Sequence, residues 1–309
     1  AIAGGIVAPK MPKKAHWEEA MQIETLPGVG AEITGIDLKN LSDAEFDAIR
    51  QAYTDHGVIF FRDQNLTEDD HIAFAERWAP INVNRFFAAP PDYPQIAMVA
   101  KEKDQKDNIG GGWHTDHSYD QEPAMGSILV ARELPESGGD TIFASMYRAY
   151  ETLDDDTKRE IEDLRAVHSA KHIFGSSGET YYNTTDAGGN RIGNAAAADV
   201  LADVTHPVVI THPLSGKKAL YVNPAFTVKI VGKTDEQSQA LLSRLYAHAM
   251  DKAHAYRFQW QPGSIAFWDN RASQHQAIWD YYPNERTGYR VQIKGTAAPL
   301  PAWGPNPST

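Results

Sequence analysis

From about residue 96 onward the apolar residues of this chain come in short runs of four or five, cut apart by turn residues, and that rhythm leaves few folds open. The runs are Ile96–Ala100, Ser127–Ala131, Thr141–Ala144, Pro207–Ile210, Ala219–Asn223, Tyr256–Trp260, Ile265–Trp268 and Tyr289–Ile293. Gly138-Gly139-Asp140, Ser215-Gly216 and Gln261-Pro262-Gly263 punctuate them. Runs of this length bounded by glycine and proline read as strands of a sandwich or barrel. They are too evenly short for a doubly wound sheet, and no glycine-rich nucleotide loop accompanies them. Two helices interrupt the series, roughly Met146–Leu164 and Thr234–Met250, the second opened by a Thr234/Gln237 capping box.

The upstream part is mixed. Residues 1–20 read as a loose arm, followed by strand-like runs at Gln22–Leu26 and Ala31–Ile36. Ser42 with Glu45 makes a capping box for a helix to about Asp55. Val58–Phe61 is a short buried strand, and Thr67 opens a second helix through about Trp78. The expected fold is mainly β with helical cover. With neither an internal repeat nor a long linker, residues 21–309 are expected to form a single domain. Residues 175–199 are rich in Gly, Ala, Asn, Ser and Thr, and a loop that long is either a functional lid or an unstructured insertion. The lid reading predicts that it orders on substrate binding.

Composition narrows the chemistry. The formal net charge is −12, which argues against a nucleic-acid partner, because phosphate-backbone binding rests on Lys and Arg. A small anionic substrate is still open, since local arginines set a site's field. With no cysteine, thiolate sites and disulfides are excluded, so any metal must sit on His, Asp or Glu. No run of 18 apolar residues suggests a membrane span. The mildly apolar Ala1–Pro9 is followed, not preceded, by Lys10, Lys13 and Lys14, the wrong order for a signal peptide, so a cytoplasmic location is expected.

The stretch Gly110-Gly111-Gly112-Trp113-His114-Thr115-Asp116-His117 carries the chemistry. Residues two apart in an extended segment share a face, so His114 and Asp116 can offer an imidazole and a carboxylate to one point. A third ligand must come from elsewhere, most naturally a histidine on a facing strand. Of the twelve histidines, His275 follows the run Ile265–Trp268 after a polar turn, Asp269–Gln274, a suitable place at a barrel mouth. The others read as surface or satisfied core residues. Two His and one carboxylate leave coordination positions open and suit non-haem Fe(II) oxygen chemistry, although zinc accepts the same ligands. Arg286 and Arg290, four apart around Gly288, share a face of the last strand. They point inward if Tyr289, Val291 and Ile293 point outward, and then suit two carboxylate-like anions. The competing reading is a pair of surface arginines at a sheet edge.

Taken in order, these residues resemble the taurine dioxygenase family, which includes alkylsulfatase and aryloxyalkanoate dioxygenases. The resemblance rests on Trp113-His114-Thr115-Asp116, Gly138-Gly139-Asp140-Thr141, Trp268-Asp269-Asn270-Arg271 with Gln274-His275, and Arg286 with Arg290. Gly30–Gly35 and Leu220–Asn223 add to it, and it spans roughly residues 22–296. It implies a double-stranded β-helix, or jelly-roll, core of the cupin kind. It implies Fe(II) on His114, Asp116 and His275, with 2-oxoglutarate and O2 as co-substrates. Thr141 and Arg286 would hold the distal carboxylate of 2-oxoglutarate, and Arg290 the acidic group of a substrate. By analogy a homo-oligomer, dimer or tetramer, is expected.

The taurine enzyme uses a histidine after its second helix to hold the sulfonate. Here Ile81–Phe87 has none, so Asn84 is the candidate donor, and Phe87 either lines an apolar pocket beside Phe86 or sits in the core. His117 and Tyr119 after the carboxylate are bulkier than a short aliphatic substrate needs. The expected substrate is therefore an organic anion with a larger or aromatic body rather than taurine. Two rivals stand beside this reading. One is a zinc hydrolase or lyase, which leaves Arg286 and Thr141 without a role. The other is a non-catalytic ligand-binding protein on the same scaffold.

Overall fold

The computed structural model describes residues 21–105, 110–174, 201–295 and the backbone of 300–301. The expected arm at 1–20 and the expected lid at 175–199 lie outside the described residues. The chain opens with β1 (Gln22–Thr25) and β2 (Ala31–Thr34), then α1 (Asp43–His56), β3 (Val58–Phe61) and α2 (Glu68–Glu76). There follow β4 (Ile96–Lys101), β5 (Gly126–Glu133), β6 (Thr141–Ser145), α3 (Met146–Glu151), α4 (Asp155–Ile161), β7 (Arg165–His168) and α5 (Lys171–Phe174). The C-terminal part contains β8 (Val204–Pro207), β9 (Val209–Thr211), β10 (Lys218–Leu220), β11 (Thr227–Ile230), α6 (Asp235–Ala249) and β12 (Ala255–Phe258). It ends with β13 (Ile265–Asp269), β14 (Ser273–Ala277), β15 (Arg286–Ile293) and β16 (Leu300–Pro301).

A seven-stranded sheet in the order β1-β2-β3-β13-β5-β15-β4 forms one wall. A second sheet, β12-β6-β14, faces its inner side, and two further three-stranded sheets, β10-β9-β16 and β11-β7-β8, extend the structure. The sheet order places β13 between β3 and β5, far from its sequence neighbours, as a jelly roll requires. Strand alternation explains the layering. On β13, Ile265 and Phe267 pack under the helices, while Ala266 and Trp268 face the inner layer. On β5, Ile128 and Val130 face the helices and Leu129 faces inward. Across the inner layer Phe60 stacks on Phe258 with ring centroids 4.2 Å apart.

The helical layer follows from local chemistry. Ser42 and Glu45 form the expected reciprocal capping box on α1, and Thr67 with Asp70 forms another on α2. Gly57 ends α1 at φ +71°, a left-handed conformation that also sends the chain directly into β3. Tyr53 and Trp78 close over Phe267, at 4.3 and 4.7 Å between ring centroids. Emptying such a site by Phe267→Ala would cost about 3–5 kcal/mol.

Two expectations need correction. The helix expected over Met146–Leu164 is two, α3 and α4, because the Asp154 side chain accepts from Thr157 N–H and starts a new helix. The run Pro207–Ile210 straddles the break between β8 and β9. Four strands are also present that the runs did not reveal, β7, β11, β14 and β16, and β14 carries His275.

Candidate active site

Strand β14 pairs with β6, which sets His275 opposite Phe143 and turns its ring toward the inner layer, 4.7 Å from that of Trp268. The neighbouring Gln274 points the other way, donating to the Val222 carbonyl at 2.7 Å. His114 forms a two-residue bridge with His275: His114 N–H donates at 3.1 Å, and His275 N–H donates back at 2.8 Å. The two imidazoles consequently lie 4.1 Å apart, centroid to centroid. Asp116 stands where the chain leaves this bridge and enters a turn. Thr115 between them faces away, its hydroxyl 2.7 Å from the Asn270 carbonyl and 2.8 Å from that of Ser273. Alternation thus puts His114 and Asp116 on one side, although only His114 is in a β-bridge. One ligand atom from each of His114, Asp116 and His275 lies within 4.8 Å of the others.

Protonation can be read from the partners. His114 Nδ1 lies 2.8 Å from the Gly112 carbonyl, which has no hydrogen to give, so Nδ1–H donates and Nε2 keeps its lone pair. That lone pair faces Asp116 Oδ1 at 3.9 Å. Burial pushes the pKa values of both His114 and His275 below the ordinary range, favouring neutral rings. Burial opposes charge on Asp116, but neighbouring positive charge, Arg290 foremost, outweighs it and holds the carboxyl below its usual range. Arg290 reaches both Asp116 oxygens at 3.2 Å, and the Ser127 hydroxyl donates to Oδ2 at 2.8 Å. An ionised carboxylate facing neutral imidazole lone pairs is repulsive unless a cation lies between them. The donor set therefore fits a divalent metal, and its nitrogen and oxygen character suits Fe(II).

The ligand atoms open into a cavity of about 420 Å³. Thr141, Arg286 and Arg290 also line it, and Phe87, Tyr119, Phe174 and Phe226 give it an aromatic wall. On β15, Val291 and Ile293 pack beneath the helices with Tyr289 beside them, so the two arginines face inward and are buried. The Nε of each has no hydrogen-bond partner among the described residues, and burial pushes the Arg286 pKa down. The Thr141 hydroxyl accepts from Trp260 Nε1–H at 3.0 Å. Phe87 lies under the Arg290 guanidinium, 4.9 Å from ring centroid to Cζ. Phe86 behind it stacks on Phe174.

Of the residues singled out in the sequence, His114, Asp116, His275, Thr141, Arg286, Arg290, Phe87 and Tyr119 line this cavity, and Asn84 and His117 do not. Asn84 is spent on structure. Its Nδ2 donates to Gln292 Oε1 at 2.7 Å, and its Oδ1 accepts from the Phe86 and Phe87 N–H groups. Asn84 thus stands outside the cavity lining, and its expected role as a substrate donor finds no contact there. His117, at φ +61°, is buried beneath the turn with Nδ1 2.8 Å from Asp120 Oδ2, so its bulk does not shape the cavity. Phe174, Phe226 and Ser127 were missed. They are ordinary apolar or small residues whose relevance comes only from what the fold places beside them.

A jelly roll with two histidines and a carboxylate at one end of a buried, arginine-bearing cavity defines a class of mononuclear metal proteins. Comparison with known proteins narrows the class. The family model of the taurine catabolism dioxygenase TauD, TfdA family matches residues 22–292, and the chain belongs to that family. It is 32% identical over 281 residues to the alpha-ketoglutarate-dependent sulfonate dioxygenase of Saccharomyces cerevisiae, covering 86% of this chain and 64% of that one. The chain therefore spans less than two thirds of that relative's length. It is 32% identical to the (S)-phenoxypropionate/alpha-ketoglutarate-dioxygenase of Sphingobium herbicidovorans, over 87% of this chain and 93% of that one. The crystal structure of a taurine dioxygenase from Burkholderia xenovorans superposes with a TM-score of 0.75 at 32% identity, covering 91% of each chain. That solved structure supports the jelly-roll core. No helix among the described residues is long and apolar enough to cross a membrane.

Proposed function

We propose that this chain is an Fe(II)- and 2-oxoglutarate-dependent dioxygenase that hydroxylates a C–H bond of a small organic anion. The observation that carries this is the convergence of His114, Asp116 and His275 on one end of a cavity that also receives the buried Arg286 and Arg290. In this reading His114, Asp116 and His275 hold the iron. When bound, Fe(II) with 2-oxoglutarate and O2 supplies oxidative decarboxylation to succinate and CO2, coupled to insertion of one oxygen atom into the C–H bond.

The chain's own residues bind, orient and exclude water. Arg286 and Thr141 take the distal carboxylate of 2-oxoglutarate. Arg290 takes the acidic group of the substrate, and Phe87 and Tyr119 hold its body off the metal. The substrate is a sulfonate, a sulfate ester or an aryloxyalkanoate. A hydroxyl placed on the carbon bearing such a group makes the product collapse and release it. The aromatic wall favours a large apolar body. Asp116 is the one carboxylate among the described lining residues and is assigned to the metal, so these residues offer no separate counter-ion to the ammonium of taurine. A zinc hydrolase would leave Arg286 and Thr141 unused. A cytoplasmic location and a homo-oligomeric state belong to the same reading, and cell fractionation and sedimentation test them.

The first test adds Fe(II) and 2-oxoglutarate to the metal-free protein without oxygen and records the visible charge-transfer band of the chelate. The band is expected in the wild type, lost in His275→Ala and weakened in Arg286→Ala. A folded, iron-loaded wild type that shows no band sinks the assignment. Succinate release with sulfonates, sulfate esters and aryloxy acids then orders the substrates.

A further inference from the structure

Trp260 follows β12 and stands outside the ligand set, yet it touches both residues assigned to the distal carboxylate of 2-oxoglutarate. Its Nε1–H donates to the Thr141 hydroxyl at 3.0 Å, and the Arg286 Cζ lies 5.3 Å from its ring centroid. Phe258 packs on the same indole at 4.9 Å and restrains it.

We infer that Trp260 is a positioning residue that prepares Thr141 and Arg286 to clamp a carboxylate, an inference that rests on the 2-oxoglutarate reading above. The chemistry is directional. An indole N–H can only donate, and a threonine hydroxyl has one hydrogen and two acceptor sites. While Thr141 accepts from Trp260, its own hydrogen is left for an acceptor in the cavity, which makes the hydroxyl a donor to a carboxylate. The same ring offers its negative face to the guanidinium. That contact holds a buried cation whose Nε has no hydrogen-bond partner among the described residues and leaves its donors for the anion. Gly139 completes the arrangement: a Cβ there would meet Arg286 Cδ at 3.2 Å and press the arginine stem from its place.

The test is anaerobic titration of the Fe(II) protein with 2-oxoglutarate, read from the visible band, alongside Fe(II) affinity and thermal midpoint. Trp260→Phe keeps a ring and removes the N–H, so the Kd for 2-oxoglutarate should rise about fivefold, with Fe(II) affinity within about twofold of wild type. In a Thr141→Val background the same substitution should add less than about twofold, because its target is gone. Trp260→His retains a ring N–H and should recover part of the loss, and it serves in the same cycle if Trp260→Phe does not fold. An unchanged Kd in Trp260→Phe overturns the inference. So does an equal penalty in both backgrounds, or a parallel fall in Fe(II) affinity, since each marks a merely structural ring. A wild type without the band overturns the parent reading as well, so the two failures are distinguishable.

Discussion

Two buried carboxylates in this molecule have the same companions and different fates. Asp269, at the end of β13, and Asp116 each sit with a histidine and an arginine, and in each case the neighbouring charges outweigh burial and hold the carboxyl below its usual range. Around Asp269 every bond is closed. Arg271 donates through Nε at 2.9 Å and through a terminal nitrogen at 2.6 Å, as a fork. His212 Nδ1 accepts from the Ser215 N–H, so Nε2–H donates to Asp269 at 3.0 Å. Around Asp116 the tautomer is reversed. The Gly112 carbonyl takes the imidazole hydrogen and leaves a lone pair toward the carboxylate, and Arg290 uses a single nitrogen at 3.2 Å with its Nε unpartnered. One cluster is a finished ion pair and the other is an incomplete one. Residue types do not separate structural from functional clusters, whereas unspent donors and misdirected lone pairs do.

The sharpest way to break this contrast is to remove one member of each cluster. His275→Ala should abolish Fe(II) retention and the 2-oxoglutarate band while leaving the thermal midpoint of the metal-free protein nearly unchanged, as differential scanning calorimetry would show. Asp269→Ala should do the reverse. It strands the buried Arg271 charge and should cost about 3–5 kcal/mol of stability by denaturant titration. Comparable unfolding in both variants would mean that the His114 cluster is also structural.

Acid sharpens the second half. The folded Asp269 carboxyl lies below its unfolded value of about 3.9, so its stabilisation is present above that pH and drains away as pH falls through the window beneath it. Asp269→Asn lacks the titrating group. Its stability deficit against wild type should therefore be full near neutrality and shrink below about pH 4. A deficit independent of pH would show that packing, not charge, holds that cluster. A smaller effect is expected at Ser127. Its hydroxyl engages Asp116 Oδ2 and leaves Oδ1 toward His114, so Ser127→Ala should weaken Fe(II) affinity by roughly tenfold with little loss of stability.

How much of this was legible in the sequence follows the same division. Periodicity and turn residues located most strands of the large sheet, because those strands carry continuous apolar runs. Capping boxes located α1 and α6, and Thr67 the start of α2, almost to the residue. The polar turn expected over Asp269–Gln274 takes in the first two residues of β14, and no apolar run marks the strand because Ser273, Gln274 and Gln276 are polar: Gln274 is spent on the Val222 carbonyl and Gln276 on that of Gly111. Its pattern reflects hydrogen bonding rather than burial of apolar surface. The long helix after β6 was over-extended because Asp154 can cap a helix as easily as continue a polar face. Within the site, ordered motifs marked the charged residues. Asn84 and His117 lie outside the cavity lining, engaged by Gln292 and by Asp120, and a motif does not show such side-chain pairings.

Thr115 joins the two regions. It lies between two candidate ligands, and its hydroxyl reaches the carbonyls of Asn270 and Ser273, while the Ser273 hydroxyl donates to the Asp269 carbonyl at 2.8 Å. The ligand-bearing turn is therefore moored to the finished cluster through one buried hydroxyl. Thr115→Val preserves shape and β propensity and removes that donor, which should cost about 1 kcal/mol of stability. The His114–His275 backbone bridge still holds the two imidazoles, so Fe(II) affinity should fall by less than about threefold, against the roughly tenfold expected for Ser127→Ala. Titrating Fe(II) into both variants decides between two descriptions. A larger fall in Thr115→Val would mean that the metal geometry is set through the Asp269 region, and the two clusters would then be one cooperative unit rather than an ion pair and a separate open site.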